Sequence, residues 1–194
     1  MQRMPTKTIA LYAMFIALTL FLGMTPYGLI PLGAINLTTL CIPVIVGTLV
    51  LGLKAGLLFG FFFGSASFLS ALGLSLTPQS GLAAALLAEN PFYVVLMCYI
   101  PRLLVPVVTH GVYQLLKNRK SEAVKIAPAA VLGSLTNTFL YLGLMLFFFV
   151  ITGLDSSRVL AVIAGAGLLG GSGEAVLAGI IAVPTVIALK KIHK

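Results

Sequence analysis

The chain alternates between long apolar runs and short polar segments. Apolar runs cover residues 9–24, 37–51, 55–74, 92–116 and 126–151, and a last run covers residues 159–189. A transmembrane helix needs about 20 mostly apolar residues, so the runs predict membrane helices. The last run is too long for one span. Its glycine-rich part at residues 165–173 predicts a break, followed by a final helix over residues 171–189.

The segments between the runs carry residues that break helices. Residues 25–36 contain two prolines and two glycines and predict a loop. Residues 76–91 and residues 152–158 predict two further loops. Asn90 stands before a proline and Asp155 stands before Ser156, a pattern that is typical of residues that cap the first turn of a helix.

The composition supports a membrane protein. Hydrophobic residues make up 60% of the 194 residues and charged residues 8%, whereas soluble domains have about 45–50% apolar and about 25% charged residues. We therefore expect an all-α protein, a single domain over residues 1–194 that forms a bundle of six transmembrane helices. The first run has no convincing small-residue cleavage site, so we interpret it as a helix and not as a removable signal peptide.

The distribution of basic residues predicts the orientation in the membrane. With six spans and a cytoplasmic N-terminus, the Lys54 turn, the loop at residues 117–125 and the C-terminal tail all face the cytoplasm. Ten of the twelve basic residues, all but Arg102 and Arg158, then lie on the cytoplasmic side, as the positive-inside rule requires. Both termini are therefore expected to be cytoplasmic. The net charge of +8 is explained by topology, and no nucleic-acid partner is expected.

Several classes of function are not supported by the motifs. The sequence has no GxxxxGK[ST] motif, which excludes an ATPase of the usual P-loop kind. Four acidic residues and two histidines assemble into no HExxH motif, catalytic triad or pair of carboxylates. We therefore expect no enzyme activity, no metal and no cofactor. Cys41 and Cys98 both lie in apolar runs and are interpreted as packing residues, as is His110.

Three polar residues lie inside the apolar runs and are candidate binding residues. A charge at membrane depth is costly, so Arg102 and Glu174 should face the interior of the bundle or a cavity. Asn137 is the third, and the predicted topology places all three in the outer half of the membrane. Arg102 and Glu174 could instead neutralise each other as a buried pair. Asn137 could simply bond to a neighbouring helix.

The surroundings of Arg102 indicate the kind of ligand. An arginine side chain holds a carboxylate well, because its fork donates two parallel hydrogen bonds. Tyr99 lies three residues before Arg102, on the same helical face. We expect Tyr93, Tyr99 and Tyr141 to contact the apolar body of a small anionic ligand, and we add Asn36, at the end of the first loop, to the candidate site. Hydroxyl or amide groups of the ligand would bind Asn137 and Glu174.

Small residues at four-residue spacing predict close helix contacts. Gly52, Gly56, Gly60 and Gly64 form such a stripe along the third run and its start, and are interpreted as a packing surface. Ala13 and Ala17 form an AxxxA pattern on the first helix. This pattern alone is weak, since it also occurs by chance and inside bundles.

These features together resemble the substrate-binding S component of an energy-coupling factor (ECF) vitamin transporter. The resemblance covers nearly the whole chain and includes the basic N-terminus, Ala13 and Ala17, and the first outer loop rich in proline and glycine. It also includes the blocks IPVIVGTLVLGLKAGLLFGFFFG, ENPF…YIPRLLVP and GSLTNTFLYLG, which begin at residues 42, 89 and 133. The combination is more specific than any one of its parts.

The resemblance implies a mechanism and partners. An S component of the bacterial cytoplasmic membrane binds a vitamin near its outer face, topples in the membrane and releases the vitamin inside. One transmembrane scaffold subunit and two ATPases supply the energy. Ala13 and Ala17 would dock on the scaffold subunit. Residues 25–36 would act as a lid, with residues 74–90 beside it.

The resemblance is greatest to the pantothenate-type group, through the Asn-Thr pair of the fifth run and the PRLLVP block. Pyridoxine-type, folate or lipoate carriers remain alternatives. Two other functions also remain open, a stand-alone transporter coupled to protons through Glu174 and a membrane assembly factor without a small ligand. The lack of an evident inverted repeat disfavours the stand-alone transporter.

Overall fold

The computed structural model describes residues 5–31 and 36–193, which form a bundle of helices with one short β-hairpin. This confirms the all-helical class. Residues 32–35 of the expected lid lie outside the described residues. The elements in chain order are α1 (Thr6–Met24), β1 (Leu29–Pro31), β2 (Asn36–Thr38), α2 (Cys41–Leu51), α3 (Leu53–Ala71), α4 (Gly81–Glu89), α5 (Pro91–Leu115), α6 (Glu122–Thr152), α7 (Ser156–Val162), a π-helical turn (Ile163–Gly167) and α8 (Leu168–His193).

Five of the described helices, α1, α3, α5, α6 and α8, are long and apolar enough to cross a membrane. The second predicted span corresponds to α2, which has 11 residues. At 1.5 Å per residue α2 is about 16 Å long, about half the hydrocarbon thickness of a bilayer. Eight of its residues are buried, so α2 is an internal helix surrounded by the longer ones.

Side chains of several helices meet near the end of the bundle that carries Lys190. Tyr113 in α5 and Leu189 in α8 pack against the same apolar core cluster. Polar groups also join these helices, because Lys190 Nζ donates to the hydroxyl of Tyr113 at 2.6 Å, and that hydroxyl donates to Glu122 Oε2 at 3.1 Å. This network ties α5, α6 and α8 together at the end opposite to the β-hairpin.

The glycine stripe of α3 packs against α5, as its spacing predicts. A Cβ atom on Gly60 would lie 2.6 Å from the carbonyl oxygen of Arg102, and one on Gly64 would lie 2.8 Å from the ring of Tyr99. Any larger residue at these two positions would push α5 away. Gly52 has a different role, since its φ of +90° forms the turn between α2 and α3, a conformation that favours glycine.

The two predicted helix caps are present. Asn90 Oδ1 accepts a hydrogen bond from the backbone N–H of Phe92 at 3.0 Å, and Asp155 Oδ1 accepts one from that of Ser157 at 3.1 Å. Hydrogen bonds from the side chain and backbone of Ser157 hold the pKa of Asp155 below its usual value. The segment at residues 76–91, predicted as a loop, contains the short helix α4.

The last apolar stretch is helical almost throughout. The predicted break corresponds to the π-helical turn Ile163–Gly167, and α8 begins at Leu168, three residues before the predicted start. A π-helical turn keeps backbone hydrogen bonds, from residue i to i+5, so the glycine-rich segment changes its pitch without leaving the helix.

Candidate functional site

A buried polar cavity of about 60 Å³ lies under the β-hairpin, between two apolar core clusters. Six parts of the fold contribute to its wall: the hairpin, α3, the start of α4, α5, α6 and the start of α8 with the preceding turn. The residues that line it are Leu29, Asn36, Thr38, Ser67, Ser70, Ala71, Ser80, Ala83, Cys98, Arg102, Asn137, Thr138, Tyr141, Leu142, Gly167, Gly171 and Glu174.

The position of Arg102 follows from the proline before it. Pro101 has no backbone N–H, so the carbonyl of Met97, one turn earlier, cannot make its usual helical hydrogen bond. Arg102 Nη1 donates to this carbonyl oxygen at 2.9 Å. Pro101 therefore leaves the Met97 carbonyl without its helical donor, and Arg102 supplies the missing hydrogen bond. This bond fixes the guanidinium against its own helix.

The guanidinium of Arg102 is held by aromatic rings and by no carboxylate. Its central carbon lies 4.5 Å from the ring centroid of Tyr141 and 5.2 Å from that of Phe63, within the range of cation–π attraction. The side chain is buried, and its Nε has no hydrogen-bond partner in the protein. Among the described residues no acidic side chain forms an ion pair with it, so the positive charge remains available to a ligand.

Glu174, in contrast, already has donors for both of its carboxylate oxygens. Oε1 accepts from the backbone N–H of Thr38 at 2.5 Å, and Oε2 accepts from the hydroxyl of Thr138 at 3.4 Å. These bonds connect α8 to the hairpin and to α6. Arg102 and Glu174 therefore form no buried ion pair in this structure, because each side chain has other partners.

Four buried polar atoms of residues in the cavity wall have no hydrogen-bond partner among the described residues. They are Asn36 Oδ1, Ser67 Oγ, Arg102 Nε and Asn137 Oδ1. A buried polar group without a partner costs about 1–3 kcal/mol. Four residues of one cavity wall therefore carry polar atoms that a small rearrangement could offer to a polar ligand.

Five of the seven predicted binding residues line this cavity: Asn36, Arg102, Asn137, Tyr141 and Glu174. The other two tyrosines lie elsewhere. The hydroxyl of Tyr99 is 2.9 Å from Ser65 Oγ, and its ring packs beside Phe61. The ring of Tyr93 stacks on Phe148, with centroids 4.6 Å apart. Both tyrosines therefore contribute to helix packing around the site.

Several lining residues were missed by the sequence reasoning. Ser67 follows Gly60 by seven residues and lies on the same side of α3, so helical spacing could have identified it, whereas Ser70 lies outside the glycine stripe. Thr138 follows Asn137 directly. For Thr38 no sequence signal existed, because its contribution to the Glu174 contact is a backbone N–H of the hairpin.

The predicted docking residues Ala13 and Ala17 are both exposed on α1. α1 is the least buried of the candidate spans, with 17% of its apolar window inside the bundle. Its buried residues are Phe15, Thr19 and Gly23, and they lie on the opposite side of the helix. The two alanines thus form a flat strip with small side chains on the outer surface.

The groups in the cavity wall are suited to binding a polar ligand. It offers a fixed positive charge, amide and hydroxyl groups, and an aromatic wall. Its single carboxylate is engaged by Thr38 and Thr138. Among the described residues no group of three His, Cys, Asp or Glu side chains is arranged to hold a metal ion.

Comparison with known proteins gives two matches. The family model described as "ECF transporter, substrate-specific component" matches residues 7–187, which include every residue of the cavity wall. The Pantothenic acid transporter PanT of Lactococcus lactis subsp. cremoris (strain MG1363) is 29% identical over 162 residues, which cover 77% of this chain and 77% of that transporter.

Proposed function

The chain belongs to the family of ECF transporter substrate-specific components, and from this premise we propose that it binds pantothenate in the cavity around Arg102 and delivers it to an energising module. The protein is a multi-pass protein of the cell membrane. The observation that carries the proposal is a buried arginine that has no carboxylate partner among the described residues and lies in a wall of unpaired polar groups.

Arg102 is the proposed site for the carboxylate of the ligand. One carbonyl bond and two aromatic rings orient its guanidinium, so little side-chain freedom is lost when a ligand binds. A hydrogen bond between charged groups contributes about 1.5–3 kcal/mol. In a site shielded from water this is enough to favour an anionic vitamin over a neutral analogue of the same shape.

The remaining polar groups match the rest of pantothenate, which has one amide and two hydroxyl groups. Asn137 Oδ1, Asn36 Oδ1 and Ser67 Oγ each have no partner in the part of the chain that the structure describes. The first two are acceptors and the third is a hydroxyl that can donate or accept. Hydroxyl and amide hydrogens of the ligand would satisfy the acceptors. The relative of the chain is named as a pantothenic acid transporter, which supports the same choice.

Glu174 serves in this proposal as an anchor for a lid and not as a contact to the ligand. The hairpin β1–β2 covers the cavity, and its hydrogen bond from Thr38 to Glu174 joins it to α8. A second bond, from Asn36 Nδ2 to the carbonyl of Pro78 at 3.2 Å, joins it to the segment before α4. The cavity of about 60 Å³ is smaller than the roughly 300–1,000 Å³ of typical ligand sites. The hairpin must therefore move to admit a vitamin.

The proposed topology has six passes and cytoplasmic termini. α2 alone is too short to cross, but β2 and the residues up to α2 are extended or turned and add about 3.3 Å per extended residue to the path. Lys54, Lys117, Arg119, Lys120 and Lys191 all lie towards one end of the bundle, and the positive-inside rule assigns that end to the cytoplasm. The cavity then faces the outer half of the membrane.

Energy for transport must come from other subunits, because the sequence contains no nucleotide-binding motif. We propose that a transmembrane scaffold subunit, which carries two ATPases, docks on the strip formed by Ala13 and Ala17. Small side chains allow the backbones of two membrane helices to approach closely. Both alanines are exposed and are not needed for packing within the bundle.

A carrier of another vitamin, such as pyridoxine, folate or lipoate, is the nearest alternative. Calorimetry on the purified protein with a panel of these vitamins distinguishes the candidates. We expect pantothenate to bind and the neutral pyridoxine not to bind, because pyridoxine leaves the charge of Arg102 unpaired. Tighter binding of pyridoxine than of pantothenate would contradict the assignment.

A further inference from the structure

A second space of about 290 Å³, here called the apolar chamber, adjoins the polar cavity between α6 and the start of α8. It opens to the outer surface of the bundle, where Phe139, Gly143 and Ser172 are exposed. It is lined mainly by apolar side chains and glycines, and its only hydroxyl groups are those of Thr138 and Ser172. No residue in its wall carries a charge. This chamber suits a compact apolar group and offers nothing to bind a carboxylate.

The two spaces share one wall. Thr138, Leu142, Gly167 and Gly171 line both the polar cavity and the apolar chamber. A Cβ atom on Gly171 would lie 2.6 Å from Thr138 Cγ2, and one on Gly167 would lie 2.8 Å from Leu142 Cδ1. The wall between the two spaces, here called the partition, is therefore thin. It consists of two close contacts, Gly171 with Thr138 and Gly167 with Leu142.

The partition is attached to an irregular part of the backbone. Gly167 ends the π-helical turn Ile163–Gly167 that precedes α8. Such turns occur often at functional sites, because the backbone there departs from regular α-helical hydrogen bonding. A small shift of this turn would be enough to separate Gly167 from Leu142.

The volumes and linings of the two spaces indicate that they form one binding site. The polar cavity of about 60 Å³ does not contain a vitamin, whereas the apolar chamber of about 290 Å³ lacks the polar groups to bind one. The apolar chamber alone is close to the roughly 300 Å³ of a small-molecule site, but only together with the polar cavity does it offer the mixture of polar and apolar lining that such sites have.

We infer that the binding site has two parts. The polar cavity takes the carboxylate, amide and hydroxyl groups of the ligand, and the apolar chamber takes a branched hydrocarbon group, so the substrate class is an amphiphilic carboxylate with a compact apolar branch. This rests on the proposed function and extends it. Pantothenate has such a branch, a carbon atom with two methyl groups.

Gly143 provides the test, because it lines the chamber and a Cβ atom there would meet nothing within 4 Å. The variant Gly143→Leu fills the chamber without a clash. Affinity is measured by calorimetry for pantothenate and for its analogue without the two methyl groups. Two buried methyl groups change affinity by about tenfold, so the wild-type protein should prefer pantothenate by about tenfold. Gly143→Leu should remove this preference and weaken pantothenate binding.

The matched control is Gly111→Leu, since a Cβ atom on Gly111 also meets nothing within 4 Å and this residue lies on α5 away from both spaces. It should retain the preference of the wild type. Equal preference in wild type and Gly143→Leu would overturn the two-part site, as would an unchanged affinity of Gly143→Leu for pantothenate. Failure of the wild type to bind either compound would instead contradict the proposed function, and the two-part site with it.

Discussion

The carboxylate of Glu174 accepts a hydrogen bond from the backbone N–H of Thr38 at 2.5 Å. This contact joins residues 136 positions apart in the chain and connects the hairpin over the cavity to the last membrane helix. In the proposed function this acidic residue holds the hairpin over the cavity as a lid, while Arg102, which has no ion-pair partner among the described residues, binds the ligand.

Loss of this contact should loosen the lid. In Glu174→Ala the hairpin loses a hydrogen bond to a charged group, worth about 1.5–3 kcal/mol. We expect faster hydrogen exchange at the amide of Thr38 and faster dissociation of pantothenate, by about tenfold or more. Exchange is followed by mass spectrometry and dissociation by stopped-flow. Glu174→Gln, which keeps an acceptor, should show a smaller effect.

The control for this prediction is Glu89→Ala, which removes an exposed acidic residue of α4. Its exchange and dissociation rates should equal those of the wild type. Unchanged exchange at Thr38 in Glu174→Ala would show that the hairpin is held by other contacts, such as the one between Asn36 and Pro78.

Arg102 should determine the preference for an anion. Arg102→Ala is expected to weaken pantothenate binding by about 1.5–3 kcal/mol, because one charge-assisted interaction is lost. The same variant should bind pantothenol, the neutral alcohol analogue, about as well as the wild type does. Calorimetry with both compounds measures the difference. Arg158→Ala is the control, since Arg158 is an exposed arginine that pairs with Asp155 outside the cavity. A loss of affinity that is equal for both compounds would indicate that Arg102 only supports the fold.

Asn137 should show opposite effects on stability and on binding. Its Oδ1 is buried without a partner, so Asn137→Leu should stabilise the ligand-free protein by about 1 kcal/mol or more. The same change should weaken pantothenate binding, since the ligand loses an acceptor. Thermal unfolding in detergent and calorimetry measure the two effects.

Ser134→Ala is the matched control for Asn137. Ser134 Oγ is also buried without a partner, one turn earlier on α6, but it does not line the cavity. We expect a gain in stability without a loss of affinity. If both variants weaken binding equally, general packing of α6 explains the effect.

The docking strip on α1 is tested by transport. Ala13→Trp combined with Ala17→Trp should leave pantothenate binding intact and abolish ATP-driven uptake into vesicles, because bulky side chains prevent a close approach of the scaffold subunit. Ile180→Trp, on the exposed surface of α8, should retain uptake. Normal uptake by the double tryptophan variant would show that the scaffold subunit docks on another surface.

The parts of the fold that depend on local signals were predictable. Asn90 and Asp155 cap helices as their sequence context predicts, and Gly60 and Gly64 lie against α5 as their spacing predicts. Their effects arise from neighbours in the chain or from one repeated face of a helix. Membrane helices are also recognisable from composition alone, because lipid demands apolar runs of a fixed length.

The parts that depend on tertiary contacts were not predictable in this way. Glu174 was expected to bind the ligand or to pair with Arg102. It forms no ion pair with Arg102, and its protein partners are the backbone of a distant hairpin and Thr138 of α6; its contact with a ligand stays a prediction. Tyr99 shares a helical face with Arg102, but its hydroxyl bonds to Ser65. The reason is that α3 approaches α5 closely at Gly64, so the ring of Tyr99 packs against α3. Periodicity identifies a face of a helix but not the neighbour that covers each part of it.

Calorimetric titration of pantothenate into the purified protein, in the absence of any ATPase or scaffold subunit, tests the central claim most directly. The account predicts binding by this chain alone, to one site, with an affinity that falls by about tenfold or more in Arg102→Ala and is unchanged in Arg158→Ala. No binding by the wild-type protein, or equal binding by both variants, would contradict it.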